Sequence, residues 1–237
     1  MPAITGTSCN ICANTEWVLD RFKKLTKCGV CGSKPRHRIC LLMIDFIVKP
    51  KKGATVLHFA AERGLYEAIK SRVGEENYKL VDFNPGRVAT RLNAVVSKFD
   101  MCKDTSTLEA ASYDLIIHNH VLEHIFCNYT CILQGLQKAL KPNGYQLFTA
   151  PIINTYYRED TNLNKSEKDR IQQFKQKDHV RIFGRLNFDE TLGMAIGIKS
   201  DYSVASFIPE EALVKANIPE QYWKGVSGSS VFALRGS

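Results

Sequence analysis

The stretch from Gly53 to Gly64 constrains the fold of this chain more than any other part of its sequence. Within it, Val56, Leu57 and Phe59 form a short apolar run that is typical of a buried strand. From Leu65 to Val73, apolar residues recur at helical spacing. A buried strand that turns directly into a helix is the repeating unit of an open α/β sheet. Such sheets bind nucleotide-like ligands at the carboxyl ends of their strands.

Length and charge limit the choices further. The 237 residues, of which 44% are hydrophobic, suffice for one substantial core and a small additional module. The apolar run Ile39 to Val48 is shorter than the roughly 20 residues of a membrane span. Residues 1–5 lack the basic and apolar regions of a signal peptide, so we expect a cytoplasmic protein. The formal net charge of +8 suits nucleic acid, an anionic small molecule or simple solubility equally well.

Two Cys-x-x-Cys pairs near the N-terminus are separated by fifteen residues, and their members are Cys9, Cys12, Cys28 and Cys31. This spacing is typical of zinc sites, in which four thiolates close a tetrahedron around the ion. Because a closed site has no position for water, we expect structural zinc. A disulfide does not suit a cytosolic protein, and a redox motif does not explain two copies. Residues 17–19 and Phe22 predict the strands of a small zinc ribbon.

A basic segment, Ser33 to Arg38, leads from the second pair into the apolar helix Ile39 to Val48. It either contacts phosphate, or is solvated or packed against a neighbouring domain. Lys49 to Gly53 breaks the helix, so we predict a zinc ribbon with its linker helix over residues 1–50 and a second domain over residues 51–237. The other cysteines lack such spacing and are expected to be buried thiols, namely Cys40, Cys102, Cys127 and Cys131.

Two further predicted strands end on an acid. Asp82 closes the strand from Tyr78, about 20 residues after the first turn, which is the geometry that binds a ribose diol. Asp82 equally suits a cap for a helix that begins at Pro85. The strand predicted over residues 94–99 is followed by Asp100 and Met101, an acid for an adenine amino group and an apolar neighbour for the ring.

The strand predicted over residues 113–120 ends in polar side chains, at the edge where open α/β sheets bind ligands. Either His120 or His124 suits a general base, since the unperturbed pKa of histidine lies near neutrality. A structural role for either histidine is equally ordinary. Later strands are predicted over residues 145–150, 200–207 and 229–234, and the last two would close the sheet as an antiparallel hairpin.

Two characteristic runs follow the strands that end on acids. They are Tyr-Asp-Leu-Ile-Ile-His-Asn-His-Val-Leu-Glu-His-Ile at residues 113–125 and Leu-Lys-Pro-Asn-Gly-Tyr at residues 140–145. This series resembles the class I S-adenosylmethionine-dependent methyltransferases. It resembles in particular a bacterial subgroup with an N-terminal zinc ribbon and a Val-Leu-His-Phe-Ala opening. The resemblance implies a Rossmann-like α/β fold with a mostly parallel sheet, a methyltransferase activity and S-adenosylmethionine as cofactor.

The resemblance also implies a set of cofactor-binding residues. The methionine moiety would lie at the turn formed by Phe59, Ala60, Glu62 and Gly64. Asp82 would bind the ribose hydroxyls, Asp100 and Met101 would contact the adenine, and Asn119 and His120 would lie beneath the reactive methyl group. The turn departs from the superfamily's acid-x-Gly-x-Gly-x-Gly, since His58 replaces the acid, Ala60 and Glu62 replace two glycines, and Gly64 alone matches.

A segment of the form Asp-His-Val-Arg-x-Phe-Gly at residues 178–184 is also similar to the bacterial subgroup, and it implies that His179 or Arg181 lines the substrate side. If the acceptor is a hydroxyl, its proton needs a base, and the candidates in order are His120, His179 and Glu123. A divalent ion at Glu123 and His124, beside residues 178 and 179, is not favoured by the sequence.

The leading hypothesis is O- or N-methylation of a small metabolite, and the resemblance alone suggests a saccharide. One alternative is an RNA methyltransferase that uses the zinc ribbon to bind nucleic acid. Another is a degenerate methyltransferase fold that acts as a binding module.

Overall fold

The computed structural model describes residues 6–20 and 23–236, so Phe22 of the predicted ribbon lies outside the described residues. The strands of this part, in chain order, are β1 (Trp17–Leu19), β2 (Leu25–Cys28), β3 (Val56–Phe59), β4 (Tyr78–Asp82), β5 (Ser97–Lys98), β6 (Tyr113–Asn119), β7 (Leu140–Thr149), β8 (Ile152–Ile153), β9 (Arg158–Glu159), β10 (Arg181–Gly184) and β11 (Phe232–Arg235).

The helices of the same residues are α1 (Pro35–Met43), α2 (Arg63–Val73), α3 (Pro85–Leu92), α4 (Met101–Asp104), α5 (Tyr129–Ala139), α6 (Glu167–Phe174), α7 (Leu192–Ile196) and α8 (Glu210–Lys215). A π-helical turn, Ile44–Val48, extends α1. Side chains fix several helix starts. Asn128 accepts a hydrogen bond from the backbone N–H of Thr130 ahead of α5, and Ser166 accepts one from Asp169 in α6.

Within the described residues, six strands form the central sheet in the order β11-β7-β6-β3-β4-β5. All neighbours in this order are parallel except β11, which pairs antiparallel with β7. β3 is buried along its whole length because α-helices cover both faces of a parallel sheet. The predicted α/β fold with a mostly parallel sheet is therefore confirmed.

Alternate residues of β3 enter two cores on opposite faces of the sheet. Leu57 and Phe59 pack with residues of α5, whereas Val56 packs with residues of α1 and α2. The apolar helix predicted after the basic segment therefore lies directly on the sheet. The domain boundary after residue 50 stays a prediction.

Two sequence expectations about the outer strands fail. The strand predicted over residues 94–99 is reduced to β5, and the strand predicted over residues 200–207 contains a 3₁₀ turn, Val204–Ser206. Ser203 accepts a hydrogen bond from the backbone N–H of Ala205, and this local bond competes with a sheet ladder. The sheet therefore closes with the antiparallel strand β11. Residues 200–207, which the sequence predicts to pair with it in a hairpin, do not form a strand.

The expectation of four buried thiols is correct for Cys40 alone. Cys102 and Cys127 form a disulfide, and Cys131 is exposed. The disulfide joins the start of α4 to the segment before α5, and these segments are brought together only by the tertiary fold. Among the described helices, none combines the length and apolar character needed to cross a bilayer.

The basic segment is packed inside the protein rather than presented to a polyanion. Arg38 has no exposed surface, and its guanidinium donates to the backbone carbonyls of Thr26, Ser33, Ala216 and Asn217. Burial lowers the pKa of Arg38 to about 10. Arg38 thus joins the N-terminal module to the C-terminal part of the chain, which confirms the interpretation that this segment packs against a neighbouring region.

We predict that Arg38→Gln lowers the free energy of unfolding by about 3 kcal/mol, because carbonyls that now accept from the guanidinium lose their donor inside the protein. Arg72→Gln is the matched control. Arg72 pairs with Asp45 at the surface, with both side chains about one third exposed, and its loss should cost less than about 1 kcal/mol. Urea unfolding measures both values, and equal losses would contradict the structural role of Arg38.

Candidate functional site

Three candidate residues form a row at the carboxyl edge of the sheet. Phe59 pairs with Val81 on one side and with His118 on the other. The residues that follow these three in sequence are Ala60, Asp82 and Asn119, which therefore lie side by side at the ends of β3, β4 and β6. The structure thus brings together the predicted methionine, ribose and methyl-group positions at one edge.

Ala60 has the backbone conformation that glycine usually supplies. Its φ is 51°, in the left-handed region, and its N–H donates to the carbonyl of Val81 at 3.1 Å. A non-glycine residue in this region indicates a locally strained turn that its surroundings hold in place. The turn therefore keeps the glycine-type path of the superfamily although the glycine itself is absent.

The Glu62 carboxylate is the centre of a polar cluster beneath this turn. Its Oε1 lies 3.3 Å from Nε2 of His37 in α1, and its Oε2 lies 3.6 Å from Nε2 of His58 in β3. Asn119 in β6 contributes its Nδ2, 3.4 Å from the same Oε2. One carboxylate thus contacts the N-terminal module and two strands of the sheet.

Each of the two histidines makes a further contact through Nδ1, which bears on which ring nitrogen carries the proton. The backbone N–H of Lys34 donates to Nδ1 of His37 at 3.4 Å, and the Tyr78 hydroxyl lies 2.8 Å from Nδ1 of His58. A backbone N–H can only donate, so Nδ1 of His37 accepts and a neutral His37 ring carries its proton on Nε2, on the side of Glu62. The Tyr78 hydroxyl can donate or accept, so its contact is compatible with either tautomer of His58.

The charges agree with this assignment. Burial raises the pKa of the Glu62 carboxyl, but His37 and His58 outweigh burial and hold that pKa well below its usual range. Burial lowers the pKa of His37 to about 3. The cluster therefore carries a negative charge on Glu62, with a neutral His37 ring beside it.

The acids on the neighbouring strands already make backbone contacts. Asp82 accepts from the N–H of Asn84 at 2.7 Å, and burial raises the pKa of its carboxyl. Asp100 caps α4 by accepting from the N–H of Cys102 at 3.0 Å. Met101 is 4% exposed and belongs to the core. The roles of Asp82, Asp100 and Met101 toward a ribose and an adenine stay predictions.

Sequence reasoning missed Phe83, which directly follows Asp82 and is 68% exposed. An exposed aromatic ring beside a strand-end acid offers an apolar face to a planar ligand. The sequence shows a phenylalanine between Asp82 and Asn84, but a phenylalanine at such a position could equally belong to the core. Only the exposure of Phe83 in the fold indicates that its ring is available to a ligand.

His120 is held by two oxygen contacts. Its Nδ1 lies 3.2 Å from Oε1 of Glu123, and its Nε2 lies 3.2 Å from the carbonyl oxygen of Gly228. Its φ of 53° is again in the left-handed region. Glu123 is 1% exposed and reaches the site through His120 rather than directly.

His179 and Arg181 have different surroundings. Arg181 has no exposed surface, and its Nε donates to Oε1 of Glu159 at 2.9 Å. The structure therefore gives Arg181 a packing role rather than a substrate contact. His179 is 5% exposed and packs edge-on against the ring of His124, and burial lowers its pKa.

The four N-terminal cysteines converge as the zinc hypothesis requires. The Sγ atoms of Cys9 and Cys31 lie 3.6 Å apart, and those of Cys12 and Cys28 lie 3.5 Å apart. A tetrahedron with Zn–S bonds of about 2.3 Å has edges of about 3.8 Å, so the thiolates fit zinc. β1 and β2 pair antiparallel beside them, and Ser33 contacts the Cys9 thiol at 3.3 Å.

Gly64 lies in close contact with this module. A Cβ at this position would lie 3.0 Å from Cγ2 of Ile11 and 3.7 Å from Cβ of Cys31. The cysteine module therefore sits directly against the start of α2, and the missing side chain allows that approach. The cofactor role of Gly64 stays a prediction.

Two cavities are lined by residues outside the polar cluster. One of about 480 Å³ is lined by Met43, Tyr145 and Tyr202, and one of about 450 Å³ borders Cys9 and Ala216. Tyr145 and its partner Arg235 mark the amino-terminal edge of the parallel strands, so the first cavity lies at the edge opposite Asp82 and Asn119.

The sequence profile of a family described as a methyltransferase domain matches residues 34–192. No curated protein matches the chain significantly. Among solved structures, a chain from the complex of the Haloferax volcanii Trm112 methyltransferase activator with a methyltransferase shares 15% identity, with a TM-score of 0.46. That alignment covers 68% of this chain and 67% of the other.

Two further structures show a similar likeness. The YcgJ protein of Bacillus subtilis shares 18% identity over 68% of both chains, with a TM-score of 0.46. Coclaurine N-methyltransferase, bound to N-methylheliamine and SAH, shares 12% identity over 78% of this chain and 53% of that chain, with a TM-score of 0.45. The chain spans about half to two thirds of the length of the first similar structures.

We predict that Cys28→Ser lowers the zinc content of the purified protein by one equivalent and destabilises the N-terminal module, because the tetrahedron loses a ligand. Cys131→Ser is the control, since Cys131 is exposed and lies outside the cluster. Elemental analysis by mass spectrometry gives the zinc content. Equal zinc contents of the Cys28→Ser variant and the unmodified protein would contradict the structural-zinc hypothesis.

Proposed function

Because this chain belongs to the methyltransferase domain family, we propose that it transfers the methyl group of S-adenosylmethionine to the oxygen or nitrogen of a small metabolite. The observation that carries the proposal is the ionised Glu62 carboxylate at the carboxyl edge of the sheet. S-adenosylmethionine carries a positive sulfonium and an ammonium group. A partly buried anion at the predicted methionine position is the electrostatic complement of such a ligand.

An unpaired buried atom supports the same assignment. Oδ1 of Asn119 is buried and has no hydrogen-bond partner among the described residues, while its Nδ2 faces Glu62. A buried acceptor without a donor is costly, and an ammonium group supplies such a donor. Glu62 and Asn119 would hold the methionine end, and Asp82 would hold the ribose hydroxyls.

Bound S-adenosylmethionine supplies a methyl group that is electrophilic because it is attached to a sulfonium. The protein's own part is to hold the acceptor in line and to take up a proton. A carbonyl oxygen only accepts, so the contact of Nε2 of His120 with Gly228 requires Nε2–H. In this proposal that proton is lost to solvent when an acceptor hydroxyl replaces the carbonyl as partner of Nε2, while Glu123 accepts from Nδ1–H. The hydroxyl proton then passes to Nε2 of His120. Glu123 is thus a positioning residue, and His120 is the base.

A small acceptor is favoured over RNA by the burial of the basic segment. His37 and Arg38, at the end of this segment, are buried and contact the protein, so they are withdrawn from any phosphate backbone, whereas Lys34 and Arg36 are half-buried. A saccharide remains our candidate acceptor on the sequence resemblance. We further propose that the protein acts in the cytoplasm, where the Cys102–Cys127 pair would be kept reduced.

We predict that calorimetry detects binding of S-adenosylmethionine to the full chain and that Asp82→Asn weakens it by at least about tenfold, since the ribose hydroxyls lose a charged acceptor. Asp201→Asn is the control, because Asp201 is an exposed acid that borders the cavity at the opposite edge. Absence of both binding heat and a thermal shift in the unmodified chain would overturn the enzyme proposal. Unchanged affinity in Asp82→Asn would overturn only the ribose role.

A further inference from the structure

We propose that Glu123, His124 and His179 bind one divalent first-row transition-metal ion, at a site separate from the four cysteines. One ligand atom from each of the three residues lies within 4.8 Å of the others. Two imidazoles and one carboxylate are the donors that such ions select, whereas thiolates suit softer ions. Three protein ligands leave further coordination positions open.

The second ring nitrogen of His124 is held in the way that metal-binding histidines require. Its Nδ1 lies 3.2 Å from the carbonyl oxygen of Asp178 and 3.4 Å from Oδ2 of the same residue. When Nδ1–H donates to these oxygens, the lone pair of Nε2 is left to bind an ion. Nε2 points toward the cluster, since it lies 4.0 Å from Oε1 of Glu123.

Glu123 contributes an oxygen that the protein leaves unsatisfied. The residue is 1% exposed, and its Oε1 faces Nδ1 of His120 at 3.2 Å. Its Oε2 is buried and has no hydrogen-bond partner among residues 6–20 and 23–236. A buried carboxylate oxygen without a donor or cation is costly, so this unsatisfied oxygen supports a cation bound by the Glu123 carboxylate.

The backbone fixes the three residues relative to one another. The N–H of Val180 donates to the carbonyl oxygen of Glu123 at 2.9 Å, which ties the segment before β10 to the turn after β6. The rings of His124 and His179 pack at 90° with centroids 4.7 Å apart. His124 is 37% exposed, so an ion can enter from solvent on its side.

Ion binding itself does not depend on methyl transfer. Glu123 is a proposed ligand of the ion and also contacts His120, the proposed base. An oxygen of the methyl acceptor could therefore bind at an open coordination position of the ion, close to that base. That role rests on the proposed function, and the test is therefore made without cofactor or acceptor.

The test is a titration of the zinc-loaded full chain with Co²⁺, followed by visible absorption. Because zinc fills the cysteine site, we expect one further equivalent of Co²⁺, with d–d bands and without the intense band of a cobalt thiolate. Glu123→Gln and His124→Ala should each weaken Co²⁺ binding by at least about tenfold, since each removes a ligand. Glu167→Gln is the control, because Glu167 is an exposed acid of the neighbouring helix α6.

Three results would overturn the proposal. They are no Co²⁺ bound up to millimolar concentration, a thiolate band as the only new absorption, and unchanged affinity in the variants. If Glu123→Gln does not fold, the Co²⁺ affinity of His124→Ala decides between the outcomes. His124 lies partly at the surface, so we expect its replacement to leave the fold intact. None of these results bears on whether the chain binds S-adenosylmethionine.

Discussion

The site depends on one partly buried carboxylate. Glu62 lies at the end of the turn after β3, and its oxygens contact His37 of the N-terminal module, His58 of the central strand and Asn119 of the next strand. Burial keeps the His37 ring neutral, so the cluster keeps the negative charge of Glu62 at the carboxyl edge of the sheet. Without this charge, the Asn119 amide would lose its acceptor, and the module would lose a polar contact with the sheet.

This cluster gives a physical account of the unusual turn. The acid expected at residue 58 is absent, but a carboxylate returns four residues later at Glu62 and contacts the histidine that replaced it. Ala60 keeps the left-handed backbone of a glycine, and Gly64 makes room for Ile11 and Cys31. The departures from the superfamily pattern thus form one arrangement, in which the cysteine module supports the turn.

The parts that the sequence predicted correctly are those set by local patterns. Apolar runs bounded by turns indicated β3, β4 and β6 almost to the residue, and the cysteine spacing indicated a cluster that the fold does bring together. Contacts between residues far apart in the chain leave no comparable pattern in the sequence. The burial of Arg38, the Cys102–Cys127 disulfide and the convergence of His37 on Glu62 depend on how helices pack across the sheet.

We infer that the ionised Glu62 carboxylate takes the place of the missing strand-end acid. The most direct measurement is the calorimetric affinity of Glu62→Gln for S-adenosylmethionine, made on protein whose circular dichroism shows that it remains folded. The account predicts an affinity about 10- to 100-fold below that of the unmodified chain, because a charged hydrogen-bonding partner is replaced by a neutral amide of the same shape. An affinity within about twofold of the original would contradict it.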